Sequence, residues 1–203
     1  MVQFLDADDM LLPGALDSQV NVLLDVERHS LGRPDIALGG YVTLEERSCV
    51  VDSPLHYWRS IANLTARRVV HEWERGLSIP IHCGLFRRDL LPDSDWFEEV
   101  LRSKEDWLFW VEALQSGARL SVNFDTVAVY RLHASNMTRG SAVHNAYSWL
   151  RAMDLGRRRH PELFDEEAIE EAKAHFRGTY LHFLWAEFGA QLPWESFRRL
   201  DMR

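Results

Sequence analysis

The sequence predicts an α/β fold, a sheet flanked by helices, with an all-α appendage at the C-terminal end. Three observations predict it. The apolar run Val2-Gln3-Phe4-Leu5 stops at Asp6-Ala7-Asp8-Asp9 and leads into a helical repeat, the pattern of a strand, an acidic turn and a helix. Short apolar runs then alternate with segments of helical spacing to about residue 140. From about Asn145 onward only helical spacing remains. The expected bounds are 1–140 for the α/β part and 141–203 for the appendage.

Taken in order, residues 2–5 read as a buried strand that delivers carboxylates at its C-terminal end. Pro13 suits a first helical position, and Leu16, Val20, Leu23 and Leu24 follow at helical spacing. Gly32-Arg33-Pro34 breaks that helix. Two strand runs come next, residues 36–38 and 41–44, with Gly39-Gly40 as a kink or bulge. Residues 53–75 carry Leu55, Trp58, Ile61, Leu64, Val69 and Trp73 at helical spacing, closed by Gly76. Residues 79–86 read as a strand that passes into a short helix at 87–91. Residues 105–116 form a helix with Trp107, Trp110, Val111 and Leu114 on one face and Gly117 as its C-terminal stop. Two strands, 120–124 and 127–132, complete the sheet. Helices are expected at 146–158, 166–188 and 194–200, separated by His160-Pro161 and Gln191-Leu192-Pro193.

Composition narrows the function. With 46% hydrophobic and 27% charged residues, the chain of 203 residues has enough apolar surface for a compact core. Lys and Arg number 23 against 31 Asp and Glu, a net charge of −8. Duplex binding draws on the opposite balance, so nucleic acid is not expected as a partner. An acidic protein that binds a phosphorylated ligand usually sets a divalent cation between its carboxylates and the phosphates. Cys49 and Cys83 lack the spacing of a metal site and read as buried thiols. No apolar run reaches a membrane span and no secretory signal opens the chain. A cytoplasmic location is expected, with peripheral contact to a membrane left open.

Three segments can carry chemistry. At the end of the first strand, a turn in Asp6-Ala7-Asp8-Asp9 can bring carboxylates round one site. One would then hold Mg²⁺ or Mn²⁺ while another orients a ribose hydroxyl or a metal-bound water. The plain alternative is an acidic cap for the following helix, a role that fits Asp9 best. Lys104-Glu105-Asp106-Trp107 opens a helix. Its acids either complement the helix dipole, which keeps their pKa low, or supply a general base. Trp107 and Trp110 read as core, with one of them open to a second role as a stacking wall for a sugar. Tyr130-Arg131-Leu132-His133-Ala134-Ser135-Asn136-Met137 follows a strand, so His133 can share a sheet edge with Asp6 and Asp8 and complete a metal's coordination or contact a pyrophosphate. The other histidines show no zinc spacing. Arg67-Arg68, Arg87-Arg88 and Arg157-Arg158-Arg159 read as solvated faces, with contact to a diphosphate or an anionic lipid as the alternative.

These segments, in this order, resemble glycosyltransferase family 2. FLDADDMLLPGAL looks like the strand and DxD motif of that family, and HCGLFRRDLL resembles its acceptor-side strand. SKEDWLFWVEAL looks like the ED motif, and VAVYRLHASNMTR is similar to the closing Tyr-Arg-x-His segment. The resemblance covers roughly residues 2–139. It implies part of an A-type glycosyltransferase fold, a Rossmann-like mixed sheet flanked by helices, corresponding to the C-terminal catalytic part without the N-terminal nucleotide-binding half. Pro92-Asp93-Ser94-Asp95-Trp96-Phe97 stands where the family has a Gly-Gly-Phe segment.

By that resemblance Asp6 and Asp8 bind the nucleotide donor, Asp8 and His133 ligate Mn²⁺ or Mg²⁺, and Asp106 is the catalytic base supported by Glu105. Trp107 and His82 fall on the acceptor side. The implied activity is inverting transfer from a nucleotide-sugar donor to a hydroxyl of a saccharide or lipid-linked acceptor, in the synthesis of cell-surface polysaccharide or glycoconjugate. The alternative is an inactive or partner-dependent glycosyltransferase fragment acting as a binding module. A phosphohydrolase with an aspartyl nucleophile is a third reading, disfavoured because Asp9 and Met10 follow Asp8. Sugar, nucleotide and oligomeric state stay open.

Overall fold

The structure of the protein is a computed structural model and describes residues 1–25, 33–45, 50–52, 61, 63–90, 96–133, 142–175 and 177–178. The expectations for Gly32, Cys49, residues 53–60, Pro92 to Asp95, residues 134–140, the far part of the 166–188 helix and the 194–200 helix lie outside those residues.

The elements are β1 (Val2–Gln3), β2 (Met10–Leu11), α1 (Ala15–Leu24), β3 (Ile36–Glu45), β4 (Val50–Asp52), α2 (Ala66–Glu72), β5 (Gly84–Phe86), α3 (Glu105–Gln115), β6 (Leu120–Leu132), α4 (Ala142–Arg159) and α5 (Glu166–His175). The fold is α/β. One mixed sheet runs in the order β1-β5-β3-β6-β2, with β4 paired to β3 off this path. β3 and β6 are parallel, and the other pairs are antiparallel. Ile36, Ala37 and Leu38 are fully buried, as expected of an interior strand covered on both faces.

The bulge lies at Gly39-Gly40. Register shifts separate Leu38 from Gly40 and Gly40 from Tyr41. Between the partner residues Val122 and Thr126, β6 carries Asn123, Phe124 and Asp125 where β3 has only Gly39. The two strands expected at 120–124 and 127–132 are therefore one strand, because the polar break between them is absorbed as a bulge. Asn123 Nδ2 donates to Ser18 Oγ at 2.7 Å, and that hydroxyl also bonds Asp125, so the bulge is tied to α1. A Cβ at Gly39 would lie 2.5 Å from Val127 Cγ2. Gly39→Ala is thus expected to destabilise the protein by about 1–3 kcal/mol in urea denaturation. Pairing it with Val127→Ala should recover much of that loss, and no recovery would show that the close approach is not the cause.

α1 starts later and turns another face inward than the sequence suggests. Its N-cap is Gly14 at φ 80°, with Pro13 outside the helix. Ala15, Gln19 and Leu23 are buried, while Leu16 and Leu24 are exposed. The physical reason is the amide of Gln19, whose Nε2 donates to Ala37 O at 3.1 Å and Cys83 O at 2.8 Å. Nor is β1 a buried strand: it is two residues long, half-buried, and paired with β5.

The expected helix over 53–75 is broken before α2, where Asn63 has φ 57° and Thr65 caps Arg68 N–H at 3.2 Å. It ends as expected at Gly76, with φ 106°. Residues 79–86 give a 3-10 turn at Ile81–Cys83 and only then β5. Arg87 to Leu90 form a turn rather than a helix, closed by Leu90 N–H to Arg87 O at 3.2 Å. α3 is buried nearly all round, with Trp107, Leu108, Phe109, Trp110, Val111 and Ala113 inside. Its indoles anchor backbone carbonyls: Trp110 Nε1 donates to Ile79 O at 3.1 Å and Trp107 Nε1 to Val69 O at 3.2 Å. Ala146, Trp149, Ala152 and Met153 of α4 and Ala172 of α5 share one apolar cluster with α3. Among the described residues no helix is long and apolar enough to cross a membrane.

The arginine pairs are engaged within the molecule. Arg68 meets Glu72 at 2.7 Å, Arg87 meets Asp35 at 3.2 Å and Arg67 meets Asp165 at 2.5 Å. Arg158 pairs with Asp154 at 2.8 Å, Arg159 joins Glu112 at 2.5 Å, and Arg88 lies 5.7 Å from the centre of the Trp96 ring.

Candidate acidic site at the end of strand β1

Between β1 and β2 the chain makes a tight turn closed by Asp9 N–H to Asp6 O at 3.1 Å. A turn of this kind brings the first and fourth residues together. It therefore joins Asp6 to Asp9 rather than Asp6 to Asp8, and Asp8 is sent elsewhere.

Asp8 is sent to His133. Its Oδ2 lies 2.8 Å from His133 Nε2, at the point where β6 ends. That hydrogen bond is the main reason the Asp8 carboxyl is held below its usual range. The pair is reached across 125 residues by the antiparallel register of β2 with β6, Met10 facing Val129. Both side chains keep some exposure, 40% for Asp8 and 17% for His133. The carboxylate oxygen and the imidazole nitrogen are spent on each other, so a divalent cation held by both would take the place of that hydrogen bond.

Asp9 does not cap α1, which begins too far along the chain at Ala15. It is buried, and its Oδ1 accepts the Arg131 backbone N–H at 2.8 Å. Its Oδ2 faces His82 Nδ1 at 2.8 Å. The sequence held a hint of this, because Pro13-Gly14 puts the helix start well past capping reach of Asp9.

His82 does not line an open surface on which a saccharide acceptor could lie. Its side chain is 0% exposed and its ring stacks on Tyr130, centroids 5.9 Å apart. Gln3 Nε2 donates to His82 O at 2.9 Å and Gln19 Nε2 to Cys83 O at 2.8 Å, so the backbone is fixed at His82 and at the residue after it. Ligand atoms of Asp6, Asp9 and His82 all lie within 4.8 Å of one another, a group that could hold a metal ion. Nothing in the sequence paired His82 with Asp9, since the contact depends on β5 lying beside β1.

The other acids come from the start of α3. Glu105 and Asp106 occupy its first turn, after Lys104 in the left-handed conformation at φ 69°. The helix dipole alone would keep their pKa low, and burial outweighs it. Burial, then the neighbouring Glu105 charge, pushes Asp106 up to about 6, against the Trp107 N–H that its Oδ1 accepts at 2.7 Å. Burial also raises Glu105, whose Oε2 is buried without a hydrogen-bond partner. The negative charge of Asp6 adds to both shifts, which brings the acidic turn and the start of α3 into one electrostatic neighbourhood. Asp6 is exposed as a residue, yet partial desolvation of its carboxyl raises its pKa, offset by His82 and reinforced by Asp9 and Asp8.

Trp107 is buried as well. It is 4% exposed and its N–H is spent on Val69 O, so it offers no face for a sugar to stack on. Phe4, just after β1, is in ring contact with Phe86, Trp96, Phe97 and Phe109, the Phe4 and Phe97 centroids 4.8 Å apart.

The raised Asp106 pKa has a sign that can be checked. Folded Asp106 keeps its proton to about pH 6, whereas an unperturbed Asp releases it near 3.8. Its contribution to stability is therefore full below 3.8 and is lost as pH rises through about 6. Asp106→Asn keeps an acceptor for the Trp107 N–H and removes the ionisation, so it should melt higher than the unaltered protein at pH 8, with the gap closing by pH 4. A gap independent of pH would contradict this.

No protein-family model matches the chain, and no curated protein matches it.

Proposed function

We propose that the chain transfers a sugar from a nucleotide-sugar donor to an acceptor hydroxyl with inversion, in cell-surface polysaccharide or glycoconjugate synthesis. The observation that carries this reading is the convergence of three acidic or imidazole segments far apart in sequence. The Asp6–Asp9 turn has its Asp8 against His133, and its Asp6 within electrostatic reach of Glu105 and Asp106. Sugar transfer needs a base at the attacking hydroxyl and a charge-stabilising group at the leaving diphosphate.

Asp106 acts on the acceptor. With its pKa near 6 the carboxylate is ionised at neutral pH, yet basic enough to take the proton of an attacking hydroxyl. The acceptor oxygen then bonds the anomeric carbon as the bond to the diphosphate breaks, the electron pair leaving with the diphosphate. Glu105 stands beside Asp106 and holds its pKa up through repulsion. At the donor end, Asp8 and His133 would hold Mn²⁺ or Mg²⁺, which supplies neutralisation of charge on the leaving diphosphate. Asp6 faces the donor's ribose side in this reading.

The test is release of nucleoside diphosphate from a panel of nucleotide sugars, with Mn²⁺ and with chelator. The expected result is turnover that requires the cation and rises with pH through about 6 as Asp106 ionises. Turnover unaffected by the chelator, or none with any donor, would set the reading aside.

A further inference from the structure

We infer that Asp6, Asp9 and His82 form a second cation site, deeper than the Asp8–His133 pair, that takes a divalent transition ion of the Mn²⁺, Co²⁺ or Zn²⁺ class. The inference does not rest on sugar transfer.

Two buried atoms carry it, of three left without a partner. Asp9 Oδ2, His82 Nδ1 and His82 Nε2 are buried and none has a hydrogen-bond partner. Buried polar groups are rarely left so, because each loses its water without compensation. Two of them, Asp9 Oδ2 and His82 Nδ1, lie 2.8 Å apart with side chains 1% and 0% exposed. An ordinary Asp–His pair at that distance shares the ring N–H in a hydrogen bond, and here neither atom makes one. Ligands of one cation behave differently. With bonds of about 2.0–2.2 Å they sit roughly 3 Å apart at a right angle, each lone pair aimed at the ion rather than at its neighbour.

The surroundings fit this arrangement. Asp9 Oδ1 is already engaged by the Arg131 N–H, which leaves Oδ2 for an ion. The turn bond from Asp9 N–H to Asp6 O holds the second carboxylate alongside, and Asp6 is exposed, which gives an ion a way in. The ring is fixed by its stack on Tyr130 and by the Gln3 bond to His82 O. Such fixing of a ligand by its neighbours tunes metal affinity. One imidazole nitrogen and two carboxylate oxygens select the transition ions, whereas Mg²⁺ and Ca²⁺ favour all-oxygen sets.

The experiment uses Mn²⁺ alone, without nucleotide, so the outcome is separate from any result on sugar transfer. Asp8→Ala/His133→Ala first removes the outer pair from the full chain, and electron paramagnetic resonance counts bound Mn²⁺ and detects coupling to a ring nitrogen. The expected result is that this protein still binds one Mn²⁺ with nitrogen coupling. Adding His82→Gln should abolish the coupling and weaken binding roughly tenfold or more. No bound Mn²⁺ in the Asp8→Ala/His133→Ala protein, or coupling that survives His82→Gln, would overturn the inference. Should His82→Gln fail to fold, Asp6→Asn at the exposed turn decides: binding weakened roughly tenfold supports the site, and unchanged binding overturns it.

Discussion

Asp106→Asn is expected to lower kcat by about 10²–10⁴-fold, the range that a positioned general base contributes. The amide matches the carboxylate in shape and still accepts the Trp107 N–H, now 2.7 Å from Oδ1. What it cannot do is take a proton. KM for the donor should change little, because the proposed mechanism has the groups around Asp8 hold the donor from the other side of the reacting carbon. The stability comparison guards the interpretation, since the same variant should be the more stable protein at pH 8. A variant that is folded, stable and inactive isolates the lost proton acceptor. A variant as active as the unaltered chain removes Asp106 from the mechanism.

Trp110→Ala should cause the largest loss of stability among single core changes, about 3–5 kcal/mol. Trp110 is fully buried and sits between Phe86 and Phe109, at ring centroid distances of 5.5 and 5.6 Å. Two losses combine. The cavity forfeits the packing of the indole, and Ile79 O loses the N–H that reaches it at 3.1 Å, which adds about 1 kcal/mol. Trp110→Phe separates them, because it keeps most of the ring contact and gives up the hydrogen bond. Urea denaturation should place Trp110→Phe between the unaltered protein and Trp110→Ala. Equal stability of the two variants would show that packing contributes little at this position.

The fold was legible where its cause is local. Gly39-Gly40 announces a bulge because two adjacent glycines interrupt a strand run, and Gly76 and Gly117 end helices through left-handed conformations, at φ 106° and 89°. It was illegible where the cause is a distant partner. The inward face of α1 is decided by carbonyls of Ala37 and Cys83, so a glutamine displaces the leucines that helical spacing nominated. Residues 120–132 read as two strands because a bulge and a loop share the same polar signature.

The candidate site divides in the same way. The acidic turn and the acids of α3 stand out from their sequence context, and the nearness of His133 to Asp8 follows from strand order. The partnership of Asp9 with His82 does not. It depends on β1 pairing with β5, a contact between segments some eighty residues apart, and on a turn that selects the first and fourth carboxylates rather than alternate ones. The raised pKa of Asp106 was hidden for a related reason. A helix dipole is readable from a first turn, whereas the burial and repulsion that outweigh it depend on how the helix packs.

The claim beneath the functional reading is that the β1 turn and the start of α3 serve one metal-assisted nucleotide-sugar site. Calorimetric titration of the full chain with a nucleoside diphosphate tests it most directly, run with Mn²⁺, with chelator, and with Asp8→Ala. Saturable binding that needs Mn²⁺ and disappears in Asp8→Ala is the result predicted. Absence of binding under every condition, or binding indifferent to both the cation and Asp8, would contradict it.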